Sequence, residues 1–75
     1  MEQKTIEIHD QFITLGQLLK HESIISSGGM AKWYLSEHTV KLNNELEQRR
    51  GKKLYNGDVI ELVAEQLTIT VVQKD

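Results

Sequence analysis

Ser27-Gly28-Gly29-Met30-Ala31-Lys32-Trp33-Tyr34-Leu35 is the stretch on which the fold turns. Three small residues make a turn. Ala31, Tyr34 and Leu35 then fall at i, i+3 and i+4, which is one inward stripe of a helix. Ala31 is small, so a second helix can approach closely there. Met30 and Trp33 lie off that stripe. Upstream, Thr14 opens another helix, and Gln17 three residues on completes a capping box. Leu15, Leu18 and Leu19 recur at helical spacing and face the core. This helix ends near Glu22 or Ser23, and Ile24 and Ile25 bury the exit.

The rest reads as strands. Thr5-Ile6-Glu7-Ile8 alternates and suits a short edge strand. Thr39 to Asn43 is a strand with Val40 and Leu42 on one face, and Asn43-Asn44 makes a tight hairpin turn. Glu45 to Arg49 is the return strand. Leu54 and Tyr55 precede the turn Asn56-Gly57. Asp58 to Val63 is the next strand, Ala64-Glu65-Gln66 turns the chain, and Leu67 to Val72 alternates as the last. The order predicts an α+β fold, two short helices packed on a small, mostly antiparallel β-sheet. Residues 1–75 are expected to form one domain.

At 75 residues the chain buries only roughly 60% of its unfolded surface, so its core is small and must be well filled. There is no cysteine, which excludes disulfides and thiolate metal sites. No apolar run approaches the roughly 20 residues of a membrane span. Met1-Glu2-Gln3-Lys4 has neither a basic nor an apolar leader pattern, so the expected location is the cytoplasm and no membrane partner is expected. The formal net charge is −2, but it is unevenly spread. Lys20, Lys32, Lys41, Arg49, Arg50, Lys52 and Lys53 outnumber Glu22, Glu37, Glu45 and Glu47 in the middle, while the ends are acidic. That pattern implies a one-sided field.

The chemistry points to phosphate. Gly28 and Gly29 lack side chains, so an anion can reach the backbone N–H groups of a helix start. Ser27 is placed to cap that helix or to bond the anion. Lys32 lies one turn inside as a point charge, and Arg49 and Arg50 offer planar forks. Strand alternation would let only one of those arginines face the ligand, and the same holds for Lys52 and Lys53 unless Gly51 breaks it. Trp33 reads as core or half-buried packing, with base stacking as the alternative, and Tyr55 is equally open. His9, His21 and His38 lack metal spacing. Glu45 and Glu47 share a strand face and suit ion pairing with neighbouring basic groups. No phosphate-loop motif, dinucleotide fingerprint or nucleophile elbow is present. No catalytic residue, cofactor, metal or small-molecule substrate is therefore expected.

Five motifs in order carry a family likeness: Leu15-Gly16-Gln17-Leu18-Leu19-Lys20, Ser27-Gly28-Gly29 with Ala31-Lys32, Val40-Lys41-Leu42-Asn43, Arg49-Arg50-Gly51-Lys52-Lys53 and Gly57-Asp58. Over roughly residues 14–62 the chain resembles the S-four domain, the RNA-binding alpha-L motif of ribosomal small-subunit protein four. It looks most like the small stand-alone YaaA-type members. The resemblance implies a structured-RNA binder, with ribosomal or tRNA-like RNA and the ribosome as partners. It implies an RNA face of Ser27, Gly28, Gly29, Lys32, Lys41, Asn43, Arg49, Arg50, Lys52 and Lys53. Many members carry glycine where this chain has His38 and Asn44, so both are expected at positive φ. Gly28-Gly29 also replaces the usual arginine at the second helix start. The expected function is non-catalytic RNA recognition through that helix start and a basic hairpin. The alternative is a protein-interaction adaptor that pairs through an acidic sheet edge.

Overall fold

A computed structural model describes residues 1–74. The strands are β1 (Glu2–Ile8), β2 (Ile13–Thr14), β3 (Val40–Leu42), β4 (Glu45–Leu46), β5 (Lys53–Leu54), β6 (Val59–Leu62) and β7 (Leu67–Gln73). The helices are α1 (Leu15–His21) and α2 (Met30–Glu37), with a 3₁₀ turn at Val63–Glu65. Five strands form one sheet in the order β1-β7-β6-β3-β4, and β2 pairs with β5 in a separate ribbon. Among the described residues only β1 and β7 run parallel; the other pairs are antiparallel. The fold is therefore α+β, two helices on a mostly antiparallel sheet.

The alternation of each strand decides which face the helices cover. Val40, Ile60, Leu62, Ile69 and Val71 are completely buried, whereas Lys41, Val59, Glu61, Thr68 and Thr70 are not. The buried set meets Leu15, Leu18 and Leu19 of α1 and Ala31, Tyr34 and Leu35 of α2, the two stripes read from the sequence. Ile25 closes the end of this core, with Ile24 packed against it. The buried Tyr34 hydroxyl donates to Glu65 at 3.2 Å. Burial, reinforced by the Glu65 charge, pushes the phenol up to about 12.

Three local expectations change. The edge strand runs over seven residues, not the Thr5–Ile8 segment, because β7 pairs with the whole of Glu2–Ile8. Only Ile6 and Ile8 are buried there, so the polar half of β1 has ladder partners but no apolar alternation to reveal it. The return strand stops at Leu46 instead of reaching Arg49. Glu47 is buried and its carboxylate takes the Arg49 N–H, which bends the chain out of the sheet. His38 has φ −128° and is extended rather than left-handed, with its ring tilted at 46° against Tyr34, centroids 4.6 Å apart. Asn43 and Asn44 do have positive φ, 51° and 72°, as a two-residue hairpin turn of the primed type requires.

Candidate nucleic-acid interface

The first turn of α1 fixes the basic segment. Thr14 and Gln17 form the expected capping box: the Thr14 N–H donates to Gln17 Oε1 at 2.9 Å, and the Gln17 N–H donates to Thr14 Oγ1 at 3.2 Å. The next two amides reach across the fold. Leu15 N–H donates to the Lys52 carbonyl at 2.9 Å and Gly16 N–H to the Arg50 carbonyl at 2.8 Å. Leu54, completely buried, anchors the far end of the same segment. Residues 49–52 are thus a loop held by two backbone hydrogen bonds, and Lys53 opens β5.

Gly16 also joins this loop to α2. A Cβ on Gly16 would lie 3.3 Å from the Arg50 carbonyl oxygen, 3.6 Å from the Arg50 Cβ and 3.5 Å from the Ala31 Cβ. The two small residues, Gly16 and Ala31, let the helices touch here. The first turn of α2, through the buried Ala31, and the basic loop, through Arg50, therefore both pack against Gly16.

That helix start differs from the expectation. Gly29 is the N-cap, and no side chain caps it. Ser27 acts through its carbonyl, which accepts the Met30 N–H at 3.1 Å, while the Gly28 carbonyl accepts the Ala31 N–H at 3.2 Å. These tight i→i−3 bonds satisfy the first helical amides. Among the described residues the Gly28 and Gly29 amides donate to no backbone carbonyl. A Cβ on Gly28 would meet nothing within 4 Å, and one on Gly29 would meet only Ser27 Oγ at 4.0 Å. Packing requires glycine at neither position. The bare amides therefore lie one step before the helix, in the open.

The ten sequence candidates do not form one cluster. Lys32 is exposed on α2. Arg50 and Lys53 are exposed and Lys52 half-buried, and none of these four cations has an ion pair among the described residues. Lys41 stands apart. It occupies the sheet face away from the helices, opposite Glu61 in the register. Asn43 is engaged structurally: its amide donates to Asp58 at 3.2 Å and its carbonyl oxygen accepts from the Val59 N–H at 2.9 Å.

Arg49 is also engaged. Glu47, 8% exposed, accepts from the Arg49 backbone N–H at 3.1 Å, from Nε at 2.9 Å and from Nη2 at 3.1 Å. The Arg49 hydrogen bonds hold the Glu47 carboxyl below its ordinary value, against the opposing effect of burial. Arg49 is thus ion-paired to Glu47, whereas Arg50 is not. Strand alternation does not apply, because Arg49 and Arg50 lie in a loop beyond the β3–β4 hairpin.

Sequence reasoning left both Trp33 and Tyr55 undecided. Trp33 is 53% exposed, not core; its ring meets His38 edge-on at 5.9 Å. It lies off the buried stripe, which was the available signal. Tyr55 is 49% exposed and sits beside Phe12, with ring centroids 6.1 Å apart. Lys53 Nζ lies 4.8 Å over the Phe12 ring. Phe12 went unnoticed because the two-residue β2–β5 ladder gives no alternation to read. No helix is long and apolar enough to cross a membrane among the described residues.

Comparison with known proteins gives the family. The model of the S4 domain family matches residues 6–72. Over 57 residues the chain is 60% identical to a probable ribosome maturation protein, RlbA, of Bacillus subtilis (strain 168). That alignment covers 76% of this chain and 80% of the relative.

Proposed function

The chain belongs to the S4 domain family, and from that premise we propose that it is a non-catalytic RNA-binding protein of ribosome maturation. It recognises folded ribosomal RNA by shape and backbone charge. Paired RNA hides its base edges in a deep, narrow groove, so a small rigid surface reads phosphates and sugars. The relative named for ribosome maturation supports the ribosomal setting. One observation carries the reading. Arg50 and Lys52 are pinned by their own carbonyls to the start of α1, beside Ala31 of α2. In this reading the free cations and the open amides act on one RNA backbone, and the loop, already held by its carbonyls, needs no ordering on binding.

In this reading Arg50, Lys52, Lys53 and Lys32 meet phosphates by charge, and Gly28 and Gly29 meet one by backbone N–H. Ser27 shapes the turn, Arg49 contributes only partially because of Glu47, and Asn43 supports the loop around Asp58. Lys41 lies outside the patch.

The test is a filter-binding titration of ribosomal RNA against the native protein and the triple variant Arg50→Ala, Lys52→Ala, Lys53→Ala. Each lost phosphate contact lowers the slope of log affinity against log salt by about 0.7–0.9. The variant should bind far more weakly, with a slope reduced by about 2–3, and melt like the native protein. Native-like affinity in the variant would reject the patch.

A further inference from the structure

We infer that Tyr55, backed by Phe12, is a stacking platform for one unpaired base of the bound RNA, with Lys52 and Lys53 holding the adjoining phosphate. The inference rests on the RNA-binding reading and adds a nucleotide site to it. It begins with strand register. β2 and β5 pair Ile13 with Leu54 and Thr14 with Lys53. One step further along the same ladder, Phe12 faces Tyr55. Leu54 points into the core, so its neighbours Lys53 and Tyr55 both point outward. Directly opposite and diagonal residues of such a ribbon touch. The rings of Phe12 and Tyr55 accordingly lie 6.1 Å apart at 56°, and Lys53 Nζ sits 4.8 Å over Phe12.

This arrangement holds the ring without covering it. Tyr55 remains half exposed, in a chain with only four aromatic residues from which to build its core. Its main chain is held independently of the ring: the Tyr55 N–H donates to Asp58 Oδ2 at 2.7 Å. The side chain lines a surface groove shared with Arg49, Gly51, Lys52 and Lys53. A Cβ on Gly51 would meet nothing within 4 Å, so the groove is open beside it. An exposed aromatic face next to fixed cations suits a nucleotide, whose base stacks while its phosphate is neutralised. A base inside a duplex cannot use it, because its faces are already covered. The site therefore favours a loop, bulge or frayed end.

The experiment uses an RNA hairpin with 2-aminopurine at one unpaired loop position, and a blunt duplex of the same stem. The native protein should bind the hairpin more tightly than the duplex and quench the 2-aminopurine. Tyr55→Ala should weaken hairpin binding roughly tenfold and abolish the quench, leaving duplex binding unchanged. Tyr55→Phe keeps the ring and should retain hairpin affinity within about twofold. If Tyr55→Ala binds and quenches like the native protein, while the triple alanine variant of the loop loses binding, the stacking site is overturned and the RNA-binding reading stands. If the native protein binds neither probe at low salt, both are overturned.

Discussion

The first turns of α1 and α2 dispose of their amides in different ways. At α1, Gln17 and Thr14 bond each other's backbone, and the amides of Leu15 and Gly16 are taken by the carbonyls of the basic loop. At α2, Met30 and Ala31 fold back on Ser27 and Gly28, no side chain caps the start, and two glycines face solvent. The helices are seven and eight residues long, so length does not separate them. One start is a joint and the other is a surface. A closed helix start has no donors left for a ligand, whatever its dipole. In the proposed reading the α1 start serves recognition by holding the backbone of Arg50 and Lys52.

The largest expected effect comes from breaking the joint. Gly16→Val places a branched side chain against the Arg50 carbonyl, 3.3 Å from the first added carbon, and against Ala31 at 3.5 Å. Overpacking of this kind costs about 1–3 kcal/mol. Denaturant unfolding should show that loss, and RNA affinity should fall with it because the loop shifts. The same change at the open start should do neither by strain.

A smaller effect sharpens the contrast from the loop side. Glu47→Gln should lower stability by about 1 kcal/mol through the lost charged hydrogen bonds to Arg49. It should also free the guanidinium, raising RNA affinity and adding about 0.7–0.9 to the salt slope. The pH dependence has a definite sign. Glu47 lies below its ordinary 4.5 in the fold, chiefly through its Arg49 hydrogen bond. Its stabilisation is present above that ordinary value and is lost as pH falls through the lower folded value. Acid unfolding of the Gln variant should therefore begin from a less stable protein and fall less steeply below about 4.5. Glu22 retains an acid response. Burial there raises the carboxyl, but hydrogen bonds from Lys4 and His21 together outweigh it.

The smallest stability effect is expected at the open start. Gly28→Ala meets no atom within 4 Å, so unfolding should change by less than about 0.5 kcal/mol. RNA affinity should nevertheless fall, because the added methyl stands where a phosphate approaches. A variant that melts and binds like the native protein would remove the backbone amides from the interface.

Helix stripes and the Asn43-Asn44 turn were legible in the sequence because each depends on local spacing or a residue's own φ preference. The capping box was legible for the same reason. What was not legible depends on distant partners. Nothing near Arg50 announces that its carbonyl serves Gly16, thirty-four positions earlier in the chain. Lys41 shares a strand with core residues, and only its sheet face, fixed by pairing with Glu61, removes it from the helix side. Glu47 was correctly read as an ion-pairing residue, yet its burial and its effect on Arg49 follow from where β4 ends. His38 was misread because a glycine preference at that position in relatives does not fix its φ here.

An RNA titration followed by NMR on the labelled protein tests the shared surface most directly. The amides of Gly28, Gly29, Lys32, Arg50, Lys52 and Lys53 should shift together, along one binding curve, while Lys41, Glu61 and Thr68 on the far sheet face stay still. Shifts confined to the far face, or to the loop with the α2 start unmoved, would contradict it.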